Sequence, residues 1–350
     1  MTPVSSALDE FGGWPGILGP LTAGEDLSAG RAQSVLDTIL AGDATEAQIA
    51  AFVTGLRQKG ETVEELTGLV RAMQAAATPL SVSKGAIDIV GMGGAPSRRK
   101  SALNVSTMAC FVAAGAGAVV CKHGNRKASS TSGSFDLLEA LDVNFDVSPE
   151  KLAAVIEEAG VGFAFARTYH PAMRHVGPVR MQLGIPTVFN ALGPLANPAR
   201  LARQVVGVAD VELAKRMAEV LAATGSEYAW VVTGEGPLDE LSTAGPTQVQ
   251  ELRGSTIRSF TVDPTDLGID PPAPGALDGG DASANAEIAG RLFDGETGAV
   301  RDIVSLNAAA GLVVAEIAAD LEEGMAKAHE SLDSGAAKQA LQALVDASKE

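Results

Sequence analysis

Apolar residues recur every three or four positions in the first eighty residues, the spacing of one helix face. Ser28 is placed to cap a helix over residues 28–41, closed by Gly42. Thr45 with Gln48 forms a capping box ahead of Ile49, Phe52, Val53 and Leu56, and Thr62 with Glu65 repeats it ahead of Leu66, Leu69, Val70 and Met73. Three short helices cannot enclose a large core alone, so this segment is expected to pack on the rest of the chain. From residue 86 the texture changes: a β-branched run ends in Gly91-Met92-Gly93-Gly94, a helical stretch covers 106–116, and a second strand covers 118–121. That βαβ rhythm predicts a parallel sheet with its loops at the carboxyl ends of the strands. Further strands are predicted at 162–166, 187–190, 204–208, 228–233 and 255–262. Helices are predicted at 149–159, 170–183, 211–223, 283–292, 299–319 and 336–347, with a Pro, Gly and Asp-rich surface loop at 264–281. No internal repeat is visible.

Composition narrows the function classes. The chain has 350 residues, 46% of them hydrophobic and 4% aromatic, enough to bury a core of two domains without disulfides or a structural metal. With 26 basic against 43 acidic side chains the net charge is −17, the wrong sign for a nucleic-acid binder, though a local basic pocket for a phosphorylated metabolite is compatible with it. Cys110 and Cys121 form no C-x-x-C pair and read as buried, inert thiols. The first 25 residues show no basic segment followed by an apolar one, and the uncharged run 101–121 contains Asn104, Ser106, Thr107, Gly115 and Gly117, which suits a buried helix and strand rather than a membrane span. The expectation is a cytoplasmic protein.

Three clusters carry candidate chemistry. Gly91-Met92-Gly93-Gly94, followed by Asn104-Val105-Ser106-Thr107 at a helix start, reads either as an anion cradle of backbone N–H groups or as a glycine turn with ordinary caps. Lys122-His123-Gly124-Asn125-Arg126-Lys127, running on to Ser129, Ser130, Thr131, Ser132, Gly133 and Ser134, combines three cations with many hydroxyls at a strand's carboxyl end, where parallel-sheet proteins bind ligands. No acid stands beside His123 in sequence, so it reads as a ligand contact rather than a general base. Asp239-Glu240 reads either as a surface turn or as a magnesium-holding pair serving a phosphorylated substrate.

With Lys122 to Arg126 and Ser129 to Ser134, four further stretches complete a pattern: His170-Pro171-Ala172-Met173-Arg174-His175-Val176; Phe189-Asn190-Ala191-Leu192-Gly193-Pro194-Leu195-Ala196-Asn197-Pro198; Leu238-Asp239-Glu240-Leu241-Ser242; and Leu306-Asn307-Ala308-Ala309. The chain thereby resembles the anthranilate phosphoribosyltransferase family, of the class that also contains pyrimidine-nucleoside phosphorylases, over nearly its whole length. The resemblance implies an α/β protein with a small all-helical domain and a large α/β domain around a central, mainly parallel sheet, usually a homodimer. The small domain would take residues 1–82 with a helical segment at 170–183, and the large one 83–350. The implied reaction is magnesium-dependent transfer of the phosphoribosyl group of phosphoribosyl pyrophosphate to anthranilate, in tryptophan biosynthesis. Carried over by position, the phosphoribosyl pyrophosphate contacts would be Gly91, Gly93, Gly94, Asn104, Val105, Ser106, Thr107, Lys122, His123, Gly124, Asn125, Arg126, Lys127, Ala128, Ser129, Ser130 and Ser134. Gly91, His123, Asn125 and Arg180 would meet anthranilate, Lys122, Asn125 and Arg180 would act in catalysis, and Ser106, Asp239 and Glu240 would hold Mg2+. The chain departs from the family at its first loop, Gly-Thr-Gly-Gly-Asp in the family but Gly91-Met92-Gly93-Gly94-Ala95-Pro96 here, and in Arg98, Arg99, Lys100 and Ala102 before Asn104. A sister enzyme with another acceptor is the alternative, and a nucleic-acid-binding relative the non-enzymatic one.

Overall fold

The computed structural model describes residues 8–93, 101–127 and 130–350. A 3-10 turn at Asp9–Phe11 leads into α1 (Gly13–Thr22), α2 (Ala29–Ala41), α3 (Glu46–Lys59) and α4 (Val63–Ala76). Both capping boxes form: the Thr45 and Thr62 side chains accept from the backbone N–H of Gln48 and Glu65, whose side chains accept in return from the cap residues' N–H groups. Glu65 is fully buried and also takes the N–H of Leu27 at 2.9 Å and the Lys59 ammonium at 2.9 Å, so one carboxylate ties the starts of α2 and α4 to the end of α3. Helix α1 has no counterpart among the sequence expectations. Its sequence, Gly-Trp-Pro-Gly-Ile-Leu-Gly-Pro-Leu-Thr, has the composition of turns, and packing of Ile17 and Leu21 into the core overrides propensity.

The chain continues as β1 (Ile87–Gly91), α5 (Val105–Gly115), β2 (Val120–Gly124), α6 (Ser134–Ala140), α7 (Pro149–Ala159), β3 (Val161–Phe165), α8 (Ala166–Tyr169), α9 (Gly177–Leu183) and α10 (Phe189–Leu195). It ends with β4 (Arg203–Gly207), α11 (Val211–Thr224), β5 (Tyr228–Thr233), β6 (Thr247–Arg253), β7 (Thr256–Val262), α12 (Ala282–Phe293), α13 (Ala299–Val314), α14 (Leu321–Asp333) and α15 (Ala336–Lys349). The sheet among the described residues runs β3-β2-β1-β4-β5-β6-β7, parallel through β5 and antiparallel at its last two pairings. The strand order reverses beside β1, which places a crevice at the carboxyl ends of the central strands.

Several expectations are corrected. The predicted helix at 170–183 is broken, with a 3-10 turn at Pro171–His175 and α9 beginning at Gly177, because Gly177 and Pro178 interrupt the ladder. Residues 187–190 are not a strand: Asn190 accepts the Thr187 N–H at 3.0 Å, which turns the β-branched pair into the start of α10. The predicted helix at 299–319 stops at Val314, and Asp320 caps the unpredicted α14. Strand β6, with its Gln and Glu residues, and the short α6 are likewise unpredicted, and the loop at 264–281 contains a 3-10 turn at Pro264–Leu267.

Two large apolar clusters meet at the sheet. One lines the face covered by α5, α12, α13 and α15. The other joins α1 to α4 with Val176 and Val179 of the segment after β3, α10, Val206 and Val231 of the sheet, and Val208 just beyond β4. The helical layer is therefore continuous with the core under the crevice.

Candidate active site

Strand β2 starts and ends later than the apolar run suggests, so Lys122 and His123 belong to the strand rather than to the loop beyond it. Both are buried, at 2% and 4% exposure. The Lys122 ammonium donates to the carbonyl of Ile89 on β1 and to Ser106 Oγ at 3.2 Å, in the first turn of α5. The cation is thus held where a helix N-terminus and two strand ends converge, a setting that favours an anion.

Asp88 is the lone charged residue of β1 and is fully buried. Its Oδ2 accepts from the His123 N–H at 3.1 Å and from Asn197 Nδ2 at 2.9 Å. Burial pushes its carboxyl up to about 6, against the opposing pull of the Lys122 charge, the Asn197 amide and the His123 and Ile89 N–H groups. His123 Nδ1 lies 3.0 Å from the carbonyl of Gly193, which can only accept, so Nδ1 carries the hydrogen and Nε2 is the bare nitrogen. His170 lies 5.1 Å from it between ring centroids and bonds the carbonyl of Ala196 through Nε2 at 2.9 Å. Burial first, then the neighbouring His170 and Lys122, pushes the His123 pKa down to about 3, and burial lowers that of His170 as well. The Gly193-to-Asn197 stretch therefore fastens β1 and β2 to each other and to His170, just after α8.

Asp239 is seated against the ends of β1 and β4. Asp239 Oδ2 accepts the Gly93 N–H at 2.6 Å. A Cβ on Gly91 would meet that carboxylate at 2.7 Å, and one on Gly207 would meet the Asp239 carbonyl at 1.7 Å, so β1 and β4 must end in glycine for Asp239 to approach. Asn307 of α13 accepts the Leu241 N–H at 2.9 Å and donates to its carbonyl at 3.0 Å, which pins the residue after Glu240. Asn285 of α12 donates to Asn104 Oδ1 at 2.7 Å and to the Ala102 carbonyl at 2.8 Å, which fixes the entry to α5. Among the described residues no group of three His, Cys, Asp or Glu is arranged to hold a metal. By residue type, Asp239, Glu240 and Ser106 are hard oxygen donors, the kind magnesium completes with phosphate oxygens and water.

The remaining candidates divide. Val105 and Thr107 are buried in the first turn of α5. Asn125 accepts the Arg126 N–H through its side chain at 2.8 Å, and its carbonyl accepts Ser134 Oγ at 3.1 Å, while Ser130 bonds the Ser132 carbonyl. Arg126, expected as an anion contact, forms a two-pronged pair with Glu139 at 2.7 and 3.0 Å and a third contact with Asp136 at 3.2 Å. Asp136 also accepts the N–H groups of Lys127 and Gly133, closing the loop that follows Gly124. Arg180 stands on α9 with its guanidinium 5.7 Å from the centre of the Phe189 ring and 3.5 Å from Asn190 Oδ1, and burial lowers its pKa. Gly94, Ala128 and Ser129 lie outside the described residues. Sequence pattern alone does not single out Asp88, Asn197, Gly207, Asn285 or Asn307 as site residues. The available signals are a lone acid in a buried parallel strand and a lone amide on an apolar helix.

The family described as "Glycosyl transferase family, helical bundle domain" matches residues 15–77, and "Glycosyl transferase family, a/b domain" matches residues 83–338. The chain is 50% identical over 331 residues to the anthranilate phosphoribosyltransferase of Parvibaculum lavamentivorans, covering 95% of this chain and 96% of the relative. It is 51% identical to that of a Nocardioides species, over 94% and 96% of the two chains. The crystal structure of anthranilate phosphoribosyltransferase from Thermus thermophilus superposes with a TM-score of 0.89 at 42% identity, covering 95% of this chain and 99% of the other. That of the Saccharomyces cerevisiae enzyme in complex with PRPP and Mg superposes with a TM-score of 0.86 at 27% identity, over 96% and 98%.

The buried histidines make a pH prediction. A histidine held neutral by burial stabilises the fold fully above its unfolded pKa, about 6.5, and that contribution is lost as pH falls toward the folded value of about 3. The urea midpoint of the wild type should therefore fall more steeply between pH 7 and pH 4 than that of His123→Asn. Parallel slopes would show that His123 does not carry this dependence.

Proposed function

Because the chain belongs to the anthranilate phosphoribosyltransferase family, we propose that it transfers the phosphoribosyl group of phosphoribosyl pyrophosphate to the amine of anthranilate, releasing pyrophosphate, in tryptophan biosynthesis. One observation carries the reading. Helix α10 presents Phe189 and Asn190 to the Arg180 guanidinium at one end and the Gly193 carbonyl to His123, the β2 neighbour of Lys122, at the other. A cation suited to a carboxylate thus stands one short helix from the strand end that carries Lys122, a cation suited to pyrophosphate. The Saccharomyces cerevisiae relative solved with PRPP and Mg and again with 4-fluoroanthranilate supports the same pair of ligands.

The chemistry needs no covalent intermediate. As pyrophosphate leaves, the ribosyl carbon passes through an oxocarbenium-like state, and the neutral aromatic amine supplies its lone pair without a strong base. Lys122, Ser106, Thr107 and the N–H groups opening α5, with Asn104 and Val105, would hold the leaving group as its charge develops. Gly91, Gly93 and the loop from Gly124 to Ser134 would enclose the sugar phosphate. Ser106, Asp239 and Glu240 would hold magnesium, which when bound neutralises pyrophosphate charge. Gly91, His123, Asn125 and Arg180 would receive anthranilate, Arg180 through two parallel donors to its carboxylate. Arg126, engaged by Glu139 and Asp136, would act by shaping the loop.

We further propose a small domain of residues 1–82 joined by the segment 170–183, with the large domain taking 83–350; the separate family matches at residues 15–77 and 83–338, and the packing of Val176 and Val179 among α1 to α4, support this division. The same reading makes the protein a cytoplasmic homodimer that binds no nucleic acid. The buried unpaired thiols Cys110 and Cys121, the former's pKa pushed up to about 12 by burial, and the net charge of −17 support it. Among the described residues no helix is long and apolar enough to cross a membrane.

The direct test is to mix protein, magnesium, phosphoribosyl pyrophosphate and anthranilate and follow anthranilate fluorescence, which should disappear only when all are present. Arg180→Ala should raise the KM for anthranilate by an amount equivalent to about 1.5–3 kcal/mol, the range for a hydrogen bond to a charged group, and change that for phosphoribosyl pyrophosphate much less. Equal effects on both constants with a lowered Tm would make Arg180 a structural residue. Replacing Asp239 by Asn and Glu240 by Gln together should reduce the rate at low magnesium by about 10²-fold or more. Near-full activity there would make the pair a surface turn.

A further inference from the structure

The sheet is closed on both flanks of the site and open in the middle. Strand β1 pairs with β4 from Ile87 to Gly91, and β2 pairs with β3 from Val120 to Gly124, each in unbroken register. Between them, β1 and β2 share only the Ile87–Val120 position, where Ile87 N–H donates to the Val119 carbonyl at 2.9 Å. One step further a parallel ladder would join Ile89 to Cys121 and His123. Side chains meet those backbone groups instead. The Asp88 Oδ2 accepts the N–H group of His123 at 3.1 Å. The Lys122 ammonium takes the Ile89 carbonyl. The Asn197 amide donates to the Cys121 carbonyl at 2.9 Å and to Asp88 at 2.9 Å.

A closed ladder would satisfy the same three backbone groups without burying a carboxylate, and burying one is costly. The arrangement is therefore not the most stable way to build this part of a sheet. What it achieves, and a ladder could not, is a gap between the strand ends that carry Gly91 to Gly93 and Gly124 to Lys127. It also fixes an ammonium in that gap between Ile89 and Ser106 Oγ. We propose that Asp88 and Asn197 are positioning residues of the phosphoribosyl pyrophosphate site: they splice the β1–β2 ladder with side chains, hold the strand ends apart and set the place of Lys122. The proposal rests on the functional reading above.

The test compares wild type, Asp88→Asn, Asn197→Ser and a remote core variant, Val155→Ala on α7, by calorimetric titration with phosphoribosyl pyrophosphate and magnesium at a temperature well below every Tm. Removing the partner behind a metal-ligating residue typically costs 10–100-fold, and the same scale is expected for the partners behind Lys122. Asp88→Asn and Asn197→Ser should each raise the Kd for phosphoribosyl pyrophosphate by about tenfold or more, with the KM for anthranilate within about twofold of wild type. Val155→Ala should lower Tm and leave the Kd unchanged. If Asp88→Asn does not fold, Asn197→Ser carries the test, since it keeps the buried charge and removes only the bridging amide. Absence of wild-type binding would overturn the functional reading and this one with it. Wild-type binding that both variants retain, or lose no more than Val155→Ala does, would overturn the positioning role alone.

Discussion

Backbone N–H and C=O groups at the end of a buried strand must find partners, and an unsatisfied one costs about 1–3 kcal/mol. Here side chains supply those partners, a buried carboxylate among them. Asp88 stands in an otherwise apolar strand, accepts from the His123 N–H of the next strand and from the Asn197 amide, and faces the Lys122 charge that partly compensates it. From this interaction follow the late end of β2, the burial of Lys122 and His123, and the need for Asn197 to close the circuit through Cys121.

The same device recurs on each side. Asn307 on α13 grips both backbone groups of Leu241, and Asn285 on α12 grips the Ala102 carbonyl and the Asn104 side chain. Each amide is buried, and each reaches from a helix of the covering layer to a segment at the carboxyl end of the sheet. A buried polar group with all its partners is rigid, because any displacement strands it in a low-dielectric interior. Rigid helices thereby transmit their position to the segments around Ala102 and Leu241. The Asp239 backbone uses the complementary means, lying against Gly91 and Gly207 where no side chain intervenes.

Local rules make much of this legible. The capping boxes of α3 and α4, the Pro-initiated α7 and the βαβ rhythm through β2 rest on neighbours a few residues apart, and they fall where the pattern puts them. The clusters at Gly91 to Gly93, Lys122 to Ser134 and Asp239-Glu240 are readable as chemistry from residue type alone. What escapes depends on distant partners. Nothing near Arg126 in the sequence says that its charge is shared with Asp136 and Glu139, and nothing near Asn197 names Asp88, 109 positions away. Helix α1 is stabilised by packing its Gly and Pro content does not announce, and Thr187-Val188 reads as a strand until Asn190 turns it.

If buried side chains hold the crevice before any substrate arrives, the amides they hold must be protected in the empty protein. Native-state hydrogen exchange at His123 and Leu241 measures this directly, since their N–H groups end on Asp88 and Asn307. The account predicts that both exchange only with an opening free energy close to that of global unfolding, and that phosphoribosyl pyrophosphate with magnesium adds no more protection than its effect on global stability. Exchange of either amide at the rate of an exposed loop, with protection gained only when substrate binds, would contradict it.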